Sequence, residues 1–243
     1  MECSVHSLRM TPPVSADLFD TMATMRAMRR LSADPVPDEL LERLVQAAVY
    51  GPSGSNAQDY QYVLVTDRQV VATLAPLWTR CVDAYLASAG RTTPAAMDDA
   101  AFERMRAAIE YQRDHFAETP ALVIPCYRAP KVNADLDGLR GMVAQLGTAG
   151  LGRLAARGGR FSLLGEASSV YPGVQNLLLA ARGLGLGANL TIWHLMLERE
   201  WKAALGIPSD MHTFAVIPIG RPLDDFGPVR RRPVADVLHR ERW

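Results

Sequence analysis

Three short apolar runs, at residues 60–66, 121–127 and 213–219, stand among much longer stretches of helical spacing, and this pattern restricts the fold more than any other feature. A doubly wound parallel sheet needs strands and helices in one-to-one alternation. Here two helical segments, 69–88 and 95–116, lie between the first strand and the second. The expectation is an α+β domain: one mixed sheet with helices on its faces, formed by a single domain spanning 1–243. A helix is expected over 17–31, with Leu18, Met22 and Met25 on successive turns. A second, starting at Pro37 or Asp38, carries a stripe of Leu40, Leu41, Leu44, Val45 and Ala48.

Charge narrows the choice of partners. Lys and Arg total 26 and Asp and Glu total 26, so the net charge is zero. That balance argues against wholesale nucleic-acid or membrane binding. The first fifteen residues lack the apolar core of a signal peptide, and no run is long enough to span a bilayer, so a cytoplasmic protein is expected. Cys3, Cys81 and Cys126 form no C-x-x-C pair and the five histidines show no ligand spacing, so no metal site is expected.

The segment 51–58, GPSGSNAQ, joins a helix to a strand. Small residues let a backbone approach a flat polar ligand, and Ser53, Ser55, Asn56 and Gln58 add donors and acceptors. The same residues also make an ordinary turn, so the loop taken alone leaves both readings open. It is not a P-loop, because it lacks the Lys-Ser/Thr ending and precedes a strand. Arg26, Arg29 and Arg30, at i, i+3 and i+4, suit either a helix C-terminus or a phosphate. The string GLGLG at 183–187 closes a helix and opens a strand, the reverse of the dinucleotide fingerprint, and reads as a glycine cap and tight turn. Residues 131–166 hold seven glycines between 138 and 159 and read as an irregular segment or lid. A helix is expected to begin near Tyr171-Pro172 behind Ser168 and Ser169, and ANLTIWH at 188–194 to be a strand. Glu110 and Tyr111 are further candidates for substrate contact.

In order and spacing, MRAMRRLSADPVPDELLERLVQAA, GPSGSNAQDYQYVLVTD, PGVQNLLLAARGLGLGANLTIWH and VIPIGRP with an Arg-Arg-Pro tail resemble the FMN-dependent nitroreductase family, from about Met22 to Pro233. The resemblance implies a mostly antiparallel sheet and an intertwined homodimer, with FMN held at the interface by residues of both chains and a tail at 221–243 packed on the partner subunit. It further implies a ping-pong oxidoreductase that passes hydride from NAD(P)H to nitroaromatic or quinone-like acceptors, the flavin carrying the chemistry without a catalytic side chain. Reductive dehalogenation, flavin fragmentation, ene reduction or non-catalytic flavin binding are its alternatives. Carried over position by position, Arg26, Arg29 and Arg30 with the tail's Arg231 match the phosphate side. Pro52, Ser53, Gly54, Ser55, Asn56 and Gln58 match the loop beside the flavin ring, and Gly187, Ala188, Asn189, Leu190 and Thr191 the backbone near it. Two departures are Ala27 where relatives often carry Ser, and Asp59-Tyr60 where they carry Pro-Trp.

Overall fold

Alternation along one strand sets the layering. The computed structural model describes residues 17–95, 97–128 and 136–243. Strand β2 (Ala121–Arg128) is buried on both faces: Ala121, Val123 and Tyr127 enter one apolar cluster, and Leu122, Ile124 and Cys126 the other. Successive residues of a strand point to opposite faces, so a continuous apolar run must be covered twice. On one side lie α2 (Asp38–Val49), through Leu41, Leu44 and Ala48, and the C-terminal part of α5 (Leu136–Gly183), through Val170, Val174 and Leu177. On the other lie α3 (Arg68–Ala87) and α4 (Asp99–Asp114), with Trp78 stacked on Phe116 at 4.9 Å. Burying each such large side chain stabilises the fold by roughly 1.5 to 3 kcal/mol.

The remaining strands are β1 (Tyr60–Val65), β3 (Gly187–Ala188), β4 (Met211–Thr213) and β5 (Ile217–Gly220), in the order β1-β2-β5-β3, with β4 also against β2. Every pairing among the described residues is antiparallel, in line with the mostly antiparallel sheet that the resemblance implies and without the parallel pair that a mixed sheet would carry. The single run expected at 213–219 is two strands. The break falls opposite Pro125, which has no N–H for the ladder and whose carbonyl instead accepts from Phe214 N at 2.9 Å.

Four more expectations are corrected. Helix α1 spans only Leu18–Thr24, because from Met25 onward the chain is extended and bonds to strands: Met28 N donates to Ala188 O at 3.0 Å and Ser32 N to Arg221 O at 2.8 Å. Tertiary pairing outweighs the helical preference of that segment. Residues 136–166 are helical rather than irregular, while 131–135 lie outside the described residues. Ala, Leu, Arg and Met between the glycines sustain α5, and only Gly147, at φ 65 and ψ 168, leaves helical geometry. No new helix starts at Tyr171: Ser168 and Ser169 are interior and bond back to Gly165 O, and Pro172 sits within α5. Of residues 188–194 only Ala188 belongs to a strand and Thr191 forms a bridge to Val216; the 3₁₀ turn Trp193–Leu197 and α6 (Glu198–Leu205) follow.

Two glycines fasten α2 to α5. A Cβ on Gly51 would stand 2.5 Å from Gly173 N, and one on Gly173 would stand 2.5 Å from Ala48 O and 2.9 Å from the Tyr62 hydroxyl. Backbone meets backbone there, so nothing soft can yield. Gly173→Ala is expected to destabilise by about 1 to 3 kcal/mol through overpacking. For a chain of this size that lowers Tm by about 2 to 12 °C in a thermal melt. Gly158→Ala, in a helical position with no neighbour within 4 Å, should leave Tm unchanged or raise it. Equal melting of both variants would refute the close-approach argument.

The tail divides. Residues 222–229 return along their own chain rather than reaching only for a partner: Leu223 N donates to Arg30 O at 3.0 Å, Val229 N to Ala23 O at 2.9 Å, and Arg182 lies over the Phe226 ring at 4.3 Å. Residues 230–243 are exposed throughout.

Candidate functional site

The GPSGSNAQ loop is strained. Ser55, Asn56 and Gln58 have φ of 51, 52 and 56, in the left-handed region that side-chain-bearing residues avoid. Such strain persists only where surroundings impose it, and it concentrates at ligand-binding positions. The imposing contacts are Gly54 N donating to Ser169 Oγ at 3.0 Å, which anchors the loop to α5, and Gln58 N donating to Ser53 Oγ at 3.1 Å. Pro52, Gly54, Ser55, Asn56 and Gln58 are left exposed and Ser53 half-buried. Gly51 belongs to helix packing, as its contact with Gly173 shows.

The arginines occupy the extended segment after α1, so the i, i+3, i+4 relation of a helix does not apply to them. Pairing places them beside the backbone of 187–191, because Met28 N bonds Ala188 O and a Cβ on Gly187 would strike Leu31 Cδ2 at 2.8 Å. Arg30 is engaged, its Nε 3.9 Å from Asp224 and its guanidinium 4.9 Å above the Tyr111 ring. Arg26 is exposed near Gly227. Arg29 is half-buried and has no carboxylate within ion-pair distance among the described residues. Burial, and then Arg26, pull its pKa down from the usual guanidinium range, while Tyr85 opposes the shift.

Around Arg29 a small depression is lined by Leu31, Tyr111, Gln112, His115 and Thr119. Gln112 was not anticipated. Its side-chain amide donates to Asn189 Oδ1 at 2.8 Å, and both residues are buried. The signal was legible: Phe102, Met105 and Ile109 mark the covered face of α4, and Gln112 continues it at i+3 with a polar group. Asn189 and Thr191 therefore turn their side chains inward, and the N–H and C=O of Thr191 are both engaged with Val216. Glu110 faces Arg106 at 3.5 Å, and Tyr111 stacks on His115 at 4.0 Å. Arg231 is exposed, and its guanidinium donates to Arg230 O at 2.8 Å.

The two halves of this set do not meet within one chain. The loop precedes Tyr60, which pairs with Tyr127 near the C-terminal end of β2. The arginines and residues 187–188 join through Ile219 to Ala121 at its other end. Those positions are six residues apart along the strand, about 20 Å. Among the described residues no group of three or more His, Cys, Asp or Glu could hold a metal, and no helix is long and apolar enough to cross a membrane.

Comparison with known proteins agrees with this architecture. A protein of Archaeoglobus fulgidus assigned as an NADH dehydrogenase/NAD(P)H nitroreductase is 23% identical over 227 residues, covering 90% of this chain and 95% of its own. Among solved structures, an iodotyrosine deiodinase bound to FMN and 3-iodo-L-tyrosine superposes with a TM-score of 0.61 at 19% identity, over 93% of this chain and 100% of the other. The NADPH:FMN oxidoreductase of Vibrio harveyi complexed with NAD+ gives 0.59 at 19%, over 93% and 77%. The family model described as Nitroreductase family matches residues 23–221, and the chain belongs to that family.

Proposed function

We propose that the chain is an FMN-dependent oxidoreductase that takes hydride from NAD(P)H and passes it to a small electron-poor acceptor, and that its working unit is a homodimer. The observation that carries this reading is Arg29. A half-buried cation without a carboxylate is costly unless an anion meets it, and a phosphate monoester supplies two charges in a shape that guanidinium groups match. The residues fit FMN: Arg29 and Arg26 for the phosphate, Arg231 closing on it, and Arg30 shared with Asp224. The backbone of residues 187–191 lies beside them, and the loop 52–58 offers exposed donors to the ring. When bound, FMN supplies reversible two-electron chemistry, so no side chain need act as nucleophile.

The 20 Å gap supports a two-chain site, since the loop of one subunit can face the arginines of another. Exposed Leu18, Phe19 and Met22 on α1, together with Val234, Val237 and Leu238 in the tail, are apolar groups available to a second copy. Iodotyrosine deiodinase among the structural relatives favours reductive dehalogenation as the second reading of the same site. The test is to purify the protein with FMN and mix it anaerobically with NADH and NADPH, then with nitroaromatic, quinone and halophenol acceptors. Loss of the oxidised flavin absorption with a nicotinamide donor, followed by its return with a nitroaromatic or quinone, is expected. A flavin that stays oxidised with both donors would reject the reading, and return with halophenols alone would replace it by the second.

A further inference from the structure

The exposed part of α5 carries a cationic site for which neither the sheet nor the loop has a use. From 138 to 165 the chain contains no Asp or Glu and four arginines, Arg140, Arg153, Arg157 and Arg160. Arg140 pairs with Asp137 at 3.2 Å. The other three are exposed and without a carboxylate partner among the described residues. At i, i+4 and i+7 they share one helical face. Together with Leu154, Phe161 and Leu164 they border a shallow, open depression, and Phe161 is 71% exposed. Three guanidinium groups beside an exposed ring suit a ligand that is both multiply anionic and aromatic: the guanidiniums clamp phosphate oxygens, and the ring stacks on a base.

Position selects among such ligands. Ser169 ties α5 to the loop proposed to face the flavin ring. At 1.5 Å per residue, Arg160 lies about 13 Å and Arg153 about 24 Å along the helix from that anchor. A small nitroaromatic or quinone cannot reach from the ring to the cluster, whereas the adenosine end of a dinucleotide is the part most distant from its reacting ring. We propose that Arg153, Arg157 and Arg160, with Phe161 as stacking surface, receive the phosphorylated adenosine end of NADPH and make the protein selective for NADPH over NADH. This rests on the oxidoreductase reading above, but the site can be tested without turnover.

The probe is adenosine 2′,5′-bisphosphate, titrated calorimetrically against the FMN-loaded protein, with adenosine 5′-monophosphate as the control lacking the 2′-phosphate. Wild type should bind the bisphosphate at least tenfold more tightly than the monophosphate. Arg153→Gln/Arg157→Gln/Arg160→Gln should erase that ratio, and Phe161→Ala should weaken both ligands. In steady-state assays the triple variant should lose tenfold or more in kcat/KM for NADPH and little for NADH. Circular dichroism and flavin content keep the variants comparable, since the replaced side chains are exposed. Equal binding of the two adenosine ligands by wild type, an unchanged ratio in the triple variant, or preferential sedimentation with anionic lipid vesicles and no bisphosphate binding would each overturn the proposal. If bisphosphate binding behaves as expected but neither donor reduces the flavin, the oxidoreductase reading fails and the cationic site stands.

Discussion

Arg29→Met is expected to weaken FMN binding by about one to two orders of magnitude while leaving the FMN-free protein as stable as wild type or more so. The first half follows from losing charge-assisted contacts to phosphate, worth roughly 1.5 to 3 kcal/mol. The second follows from the apo environment of Arg29, where burial and Arg26 both disfavour the charge and no carboxylate among the described residues offsets them. Methionine retains an unbranched apolar side chain in place of the arginine stem, which limits the effect of lost volume. Fluorescence titration of apoprotein with FMN and a thermal melt without FMN separate the two effects. A structural arginine would behave in the opposite way, with a lower apo Tm and unaltered affinity. Arg231→Ala should have a smaller effect on affinity, because Arg231 is exposed and must pay more side-chain entropy to engage a phosphate.

Particular elements show what was legible in the sequence. β2 was readable because a continuous apolar run after Pro120 has few outcomes other than a strand buried on both faces, and the Trp78 and Leu177 clusters cover it as that requires. α2 was readable because its stripe and its Pro37 entrance agree. The segment 25–32 was not, since its methionines have helical spacing while its fate was decided by a strand edge at residues 187–188 and by residues 221–223, some 160 to 190 positions away. The long α5 is hidden by the seven glycines between 138 and 159, yet between good helix formers each one costs only about 1 kcal/mol. The loop at 51–58 was found by composition, yet its informative property, three side-chain-bearing residues at positive φ, is conformational and left no signature in the residue types. The separation of loop and arginines across the sheet could not be read without strand order.

Acid should destabilise the fold well above the carboxylate range, through His194. This imidazole, within the 3₁₀ turn Trp193–Leu197, is fully buried, its Nε2 3.0 Å from Thr213 Oγ1, and burial pushes its pKa from 6.5 down to about 4. Among the described residues its Nδ1 has no hydrogen-bond partner, and Trp201 meets the ring edge-on at 5.9 Å. The titratable group facing it is Glu198, which accepts from Thr213 N at 2.9 Å and Thr213 Oγ1 at 2.7 Å, and whose charge raises the His194 pKa without overcoming desolvation. Because the folded state resists protonation that the unfolded chain accepts, the unfolded state binds more protons below pH 6.5. The stability tied to neutral His194 is therefore present above pH 6.5 and lost as pH falls from 6.5 through about 4, by about 2 kcal/mol at pH 5. Glu198 works in a separate, lower window: the Thr213 hydrogen bonds hold its pKa below the usual 4.5 against burial, so its contribution is present above 4.5 and lost beneath it. Urea midpoints at pH 7 and pH 5 should fall accordingly for wild type. His194→Gln, which can still bond to Thr213 but does not titrate, should be less stable at pH 7 and nearly flat between the two pH values. The same slope in His194→Gln as in wild type would locate the acid sensitivity elsewhere and leave the buried imidazole with a packing role alone.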